Sequence, residues 1–240
     1  MSEVTATEML RCESLSSGYD GALVVQDIAL TVKTGEVFGI LGKNGMGKST
    51  LLKTLIGLVE PSTGHVRING TEVTGSKPYR IARLGVAYVP QEAAIFQDLT
   101  VEENLKLVVS SAKALSSAFE EISDYFPVIP ARRKQLAGTL SGGEQKMLLM
   151  TRALAIKPML MLVDEVSEGL QPSMVGKFSR LFSDISKKNA TTVVLVEQNV
   201  GLLARVAARV ALLKSGQISR IEQVADLTDA QAELTNMLWD

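Results

Sequence analysis

The sequence predicts an α/β fold, an open sheet whose buried strands alternate with helices. Three observations predict it. Residues 36–41, 159–163 and 191–196 are short apolar runs of strand length. The second run ends in Asp164-Glu165, paired carboxylates at a strand's C-terminal end, where ligands gather in open α/β sheets. Residues 42–50, Gly-Lys-Asn-Gly-Met-Gly-Lys-Ser-Thr, fit G-x-x-x-x-G-K-[ST] between a strand and a helix.

In chain order, residues 9–32 alternate as strands, with Ser-Gly-Tyr-Asp-Gly turning between them. Tyr19 lies in that turn, and an aromatic face at the rim of a nucleotide site can stack on a purine. After the buried run 36–41, Gly42, Gly45 and Gly47 lack Cβ and reach positive φ, so backbone N–H groups can wrap a polyphosphate. Lys48 is then placed to reach the β- and γ-phosphates, and the Ser49 hydroxyl to ligate Mg²⁺. The helix that follows runs to Ile56 and stops at Gly57, which sets its positive dipole end at the phosphates. Residues 64–70 alternate and end in Asn-Gly, a hairpin signal, with the single histidine, His65, on the strand surface. Residues 81–90 read as another buried strand, and the Gln91 amide stands just past its end.

The pattern changes between residues 99 and 136. Thr100 and Glu103 suit a capping box, and Leu105, Val108, Val109, Ala112 and Leu115 recur at helical spacing. A second helix covers 116–125 and ends before Pro127 and Pro130, making a helical insertion; Arg132, Arg133 and Lys134 are expected on a solvated face. Residues 140–145, Leu-Ser-Gly-Gly-Glu-Gln, open an apolar helix through Ile156. Ser141 is its N-cap, and Gly142 and Gly143 offer bare backbone donors to a second anion. Met147, Met150, Met159 and Met161 are assigned to the core. Adjacent carboxylates at a buried strand end need positive charge nearby. Asp164 is expected to hold the metal and Glu165 to orient or deprotonate a water. A last core strand ends by residue 213, a hairpin follows, and residues 226–240 read as a short amphipathic helix.

Composition bounds the function. A chain of 240 residues, 46% hydrophobic, suits one substantial domain or a core with a subdomain. A net charge of -1 and a pI near 6.0 leave no electrostatic footprint for nucleic acid. No apolar run reaches a membrane span and no signal-peptide pattern opens the chain. Cys12, the one cysteine, alternates with Leu10 and reads as a small buried hydrophobe, with no internal disulfide possible.

Taken together these motifs resemble the ATP-binding subunit of ABC transporters over nearly the whole chain. The aromatic Tyr19, the Walker A loop 42–50, the Q-loop residue Gln91, the signature 140–145, the Walker B strand 159–164 and Glu165 follow the family's order. The signature is the specific item, because many NTPases carry Walker motifs. The resemblance implies a P-loop NTPase (RecA-like) core with an antiparallel β subdomain and an α-helical subdomain. Residues 1–92 and 148–240 would form the core and β subdomain, and 93–147 the helical subdomain. It implies ATP and Mg²⁺ as ligands. Tyr19, Gly42, Asn44, Gly45, Gly47, Lys48, Ser49, Thr50 and Gln91 would contact nucleotide on one copy, and Ser141, Gly142 and Gly143 on the other, in a head-to-tail dimer. Ser49, Gln91 and Asp164 would surround the metal, with Glu165, Gln198 and Lys48 catalytic.

Two positions depart from the family pattern: Gln198 stands at the switch histidine, and Gln171 at the D-loop aspartate. Glutamine can donate a hydrogen bond but takes up no proton near neutral pH. Val-Glu-Gln-Asn at 196–199, Glu-Gly-Leu-Gln-Pro at 168–172 and Thr-Val-Glu-Glu-Asn-Leu at 100–105 resemble the branch that imports branched-chain amino acids, urea or short amides. That branch implies two different ATPase chains, two membrane permease subunits, an extracytoplasmic solute-binding protein and a place at the cytoplasmic face of the membrane; for this chain the partner ATPase is a second copy or a related chain. A soluble ABC-type machine is the rival, but the insertion is too short for coiled-coil heptads. A low-turnover ATP-binding scaffold is a third reading, opposed by Glu165 and left open by Gln198 and Gln171.

Overall fold

The structure is a computed structural model and describes residues 7–92 and 94–239; residues 1–6, Ala93 and Asp240 lie outside it. The chain opens with a long hairpin, β1 (Glu8–Tyr19) and β2 (Ala22–Lys33), followed by β3 (Val37–Leu41), α1 (Lys48–Leu55), β4 (Pro61–Ile68) and β5 (Thr71–Glu72). Next come α2 (Pro78–Arg83), β6 (Val86–Val89), α3 (Val101–Lys106), α4 (Ala112–Ser123), α5 (Val128–Ala131) and α6 (Gly142–Ala155). The remainder is β7 (Leu160–Asp164), α7 (Pro172–Asn189), β8 (Thr192–Glu197), α8 (Val200–Val206), β9 (Arg209–Lys214), β10 (Gln217–Gln223) and α9 (Ala230–Trp239).

Two sheets result. One is antiparallel, in the order β2-β1-β4-β5. The other runs β10-β9-β3-β8-β7-β6, parallel from β9 to β6 with β10 antiparallel on the edge. Strands β3, β7 and β8 are buried at every residue, which is why their sequences are continuous apolar runs. Their side chains alternate between two cores. Phe38, Ile40, Leu162 and Val194 pack with β1, β2 and α1. Leu41, Val163 and Leu195 face the other way, toward a core holding Phe126, Phe178 and Phe182. That alternation sends Asp164 to the α1 side of the sheet, two residues after Leu162. Gly39 is a close-packing position, since a Cβ there would come within 2.9 Å of Leu203.

Several expectations need correction. Residues 81–83 belong to α2, not to a strand: Pro78 is pre-set for a helix's first turn, and Gly85 at φ 82° ends the turn before β6. The helix capped by Thr100 stops at Lys106, leaving Val108 and Val109 in a connection. Ser111 then caps α4 by accepting from the Ala114 N–H, and a serine bonds more readily as a cap than inside a helix. Arg132, Arg133 and Lys134 are exposed as expected, and the two arginines pair with Glu144 at 2.9 Å and Glu102 at 2.8 Å. Met159 lies partly exposed beside Gly85, outside the core that takes Met147, Met150 and Met161. Tyr19 is the last residue of β1, and the C-terminal helix starts at Ala230. The second helix of the insertion spans Ala112–Ser123 rather than 116–125. Three other readings agree. His65 is exposed beside Glu72, Asn69 and Gly70 turn the hairpin with positive φ, and Cys12 is buried, its thiol pushed up to about 12. No helix among the described residues is long and apolar enough to cross a membrane.

Candidate nucleotide and catalytic site

The phosphate loop leaves β3 at Leu41, and Gly42 N–H donates to the Glu197 carbonyl at 3.4 Å. Gly45 and Gly47 stand at φ 79° and 96°. A Cβ on Gly47 would press within 2.9 Å of Val25, whereas the space around Gly45 is open. The loop is therefore packed against β2 on one side and clear on the other. No side chain caps α1, so the N–H groups of its first turn face outward without a side-chain acceptor.

Lys48 is 3% exposed, and its ammonium sits at the centre of the site. Nζ donates to Gly42 O at 2.7 Å and Lys43 O at 2.9 Å, and pairs with Glu165 Oε1 at 2.7 Å. Ser49 Oγ donates to Asp164 Oδ1 at 3.1 Å, and the Tyr88 hydroxyl donates to Oδ2 at 3.3 Å. Burial holds the Asp164 carboxyl above the usual aspartate range, against the pull of the Ser49 and Tyr88 hydrogen bonds. Glu165 takes a left-handed φ of 42°, an unusual backbone for a glutamate, and its N–H is tied to Val196 O at 3.0 Å.

The donor set fits a small hard cation. Ser49 Oγ and Asp164 Oδ1 lie 3.1 Å apart, and Mg²⁺ is usually held by one or two protein oxygens, with phosphates and waters completing the shell. No cluster of three or more His, Cys, Asp or Glu offers a dedicated cage among the described residues.

The remaining expected residues are distributed around this centre. Asn44 is exposed at the loop tip and Thr50 is buried in α1. Tyr19 is 47% exposed at the end of β1. Gln91 is not gathered onto the Ser49–Asp164 pair: its Nε2 donates to Glu168 Oε2 at 2.6 Å. Gln198 is exposed immediately after β8. Ser141 caps α6 in a reciprocal box with Glu144, and both Ser141 and Gly142 remain exposed. Three residues were not anticipated. Tyr88 holds Asp164. Lys146, on α6, donates to the carbonyls of Val166 at 3.2 Å and Glu168 at 2.6 Å. Glu197 is 1% exposed and accepts from Ser167 N–H at 3.0 Å and Ser167 Oγ at 2.6 Å.

A protein-family model described as an ABC transporter matches residues 25–168, from β2 past Glu165. The chain belongs to the ABC transporter family. Within this family it is 37% identical to the "High-affinity branched-chain amino acid transport ATP-binding protein BraG" of Pseudomonas aeruginosa, across 88% of this chain and 91% of that one. It is 36% identical to the "Probable branched-chain amino acid transport ATP-binding protein LivF" of Archaeoglobus fulgidus, across 88% and 90%. Among solved structures, one described as an ATP binding subunit of an ABC transporter superposes with a TM-score of 0.85 at 25% identity. That match covers 97% of this chain and all of the other. The α/β architecture with its two sheets is therefore that of an ABC ATPase cassette.

Proposed function

We propose that this ABC transporter protein binds and hydrolyses ATP to power an importer of branched-chain amino acids, with urea and short amides as the neighbouring solute classes. The observation that carries the ATPase reading is the buried Lys48–Glu165 pair at 2.7 Å, set beside the Ser49–Asp164 contact at 3.1 Å. The likeness to BraG and LivF carries the solute class.

Glu165 is the residue that readies water, and Lys48 restrains it. The Lys48 ammonium is shared between two loop carbonyls and the Glu165 carboxylate. A γ-phosphate offers that ammonium a stronger acceptor. Glu165 is thereby released to take a proton from water as a general base. The loop residues Gly42, Asn44, Gly45, Gly47 and Thr50 bind the phosphates, and Tyr19 stacks on the purine. Ser49 and Asp164 would hold Mg²⁺, which supplies positive charge to the phosphate oxygens when bound. Gln198 positions the γ-phosphate by donating a hydrogen bond without moving a proton, so the proton falls to Glu165 alone.

The exposed Ser141 and Gly142 at the α6 N-terminus are open to a second ATPase copy, identical or related, and complete its nucleotide site with Gly143. The helical lobe, residues 93–147, and the Gln91 segment engage the cytoplasmic side of the permease, which works with an extracytoplasmic solute-binding protein. Purifying the chain with its membrane partners and assaying ATP turnover against solutes tests the reading. Stimulation by a branched-chain amino acid or amide with its binding protein is expected. Recovery of no permease, or indifference to every such solute, would overturn it.

A further inference from the structure

We propose that Glu197 is a positioning residue for hydrolysis, one that fastens the phosphate loop and the segment after Glu165 to the end of the same strand. The proposal rests on reading Glu165 as the base. Glu197 closes β8 opposite Leu41 in the parallel register. Its carbonyl accepts from Gly42 N–H, the first residue of the phosphate loop, at 3.4 Å. Its two carboxyl oxygens accept separately from Ser167, one from the N–H at 3.0 Å and one from Oγ at 2.6 Å.

Ser167 lies two residues after Glu165, with the buried Val166 between them. Glu165 N–H is itself tied to Val196 O, so both ends of the segment 165–167 are pinned to consecutive residues of β8. Only two peptide units separate the pins. That bracket, together with Lys146 Nζ on the Glu165 and Val166 carbonyls at 3.4 and 3.2 Å, holds the segment in which Glu165 is left-handed with its carboxylate on Lys48. The next residue along the chain is the exposed Gln198.

Stability gives little reason for a carboxyl at this place. Glu197 is 99% inaccessible and makes no ion pair among the described residues. The charged groups that face it are Lys146 from α6, whose bonded donors are spent on carbonyls, and Glu165 from the β7 end. Burial pushes its carboxyl up to about 7. A buried acid without a bonded cation is a costly way to fill space, and here its carboxyl is engaged by Ser167 through both oxygens and by the Asn199 N–H.

The test uses the full chain with Glu197→Ala, Glu197→Gln and Ser167→Ala, scored for thermal melting, ATP affinity, KM and kcat of phosphate release. Glu197→Ala is expected to lower kcat about 10- to 100-fold while KM for ATP stays within about twofold. Glu197→Gln keeps an acceptor for the Ser167 N–H and offers a donor to its hydroxyl, and should restore most of the rate. Ser167→Ala should fall between them. Should the alanine variant at 197 fail to fold, Ser167→Ala decides, since the carboxyl there keeps its backbone bond. Wild-type kcat in the folded variants, or a Gln variant as slow as the Ala one, would overturn the proposal. Glu165→Gln measured alongside keeps the two ideas apart: turnover retained in that variant sinks the base assignment whatever the Glu197 variants do.

Discussion

Replacing Lys48 with alanine should harm the nucleotide-free protein before ATP is ever added. Its ammonium lies 2.7 Å from Glu165 Oε1, and the two side chains are 3% and 8% exposed. Removing the cation leaves a buried carboxylate with no partner, a loss of about 3–5 kcal/mol. Gly42 O and Lys43 O also lose their donor. In a chain of this size each kcal/mol shifts Tm by roughly 2–4 °C, so the midpoint should fall by about 6–20 °C. Glu165→Gln leaves the ammonium its two carbonyl acceptors and should cost less. The double variant buries no lone charge, so its loss should undercut the sum of the singles by about 1–3 kcal/mol. Thermal melts of the four proteins without nucleotide measure this, and equilibrium ATP binding should be weakened in both Lys48 variants. Additive losses, or a Lys48→Ala midpoint equal to that of the wild type, would mean that the pair is not formed in solution, and the proposed release of Glu165 by phosphate would fail with it.

Two further outcomes follow from single residues. Burial raises the Glu197 carboxyl from 4.5 to about 7, so the native state holds a proton that the unfolded chain releases. Stability should be highest below pH 4.5 as far as this group is concerned and decline as pH rises through 7, by on the order of 3 kcal/mol. Urea melts across that range should show the decline in the wild type and its absence in Glu197→Gln; parallel curves would contradict the assignment. Trp239, the one tryptophan, rests over Lys43 with the ammonium 4.3 Å from the ring. An exposed contact of this kind contributes only about 0.5–1 kcal/mol, so a polyphosphate at the loop can draw Lys43 away. Intrinsic fluorescence should change on ATP binding in the wild type and stay constant in Lys43→Ala; a silent wild type would argue against movement of that lysine.

Much of the fold was legible because both faces of β3, β7 and β8 are buried, so the strands announce themselves as apolar runs. Local chemistry was equally readable: Thr100 with Glu103 and Ser141 with Glu144 form the boxes their spacing implies. Periodicity misled where a short helix carries strand-like residues, as in α2, and where Val108 and Val109 continue a helical pattern across a break set by Ser111. At the candidate site, the spacing of Lys48, Ser49, Asp164 and Glu165 was enough to foresee that they meet. Gln91 was foreseen as a metal neighbour, yet its amide is engaged by Glu168, a contact across 77 positions that no local pattern encodes. Glu197 and Lys146 were overlooked for the same reason. Each acts on a segment distant in sequence, and each looks locally like an ordinary strand end or helix residue. The one available signal was the polarity of Glu197 itself, directly after an apolar strand.

The claim on which the account turns is that Glu165 readies the water that attacks bound ATP. Single-turnover phosphate release from Glu165→Gln, read beside its ATP affinity, tests it most directly. Undiminished ATP binding with release slowed about 100-fold or more is the predicted result. Release at the wild-type rate would contradict it.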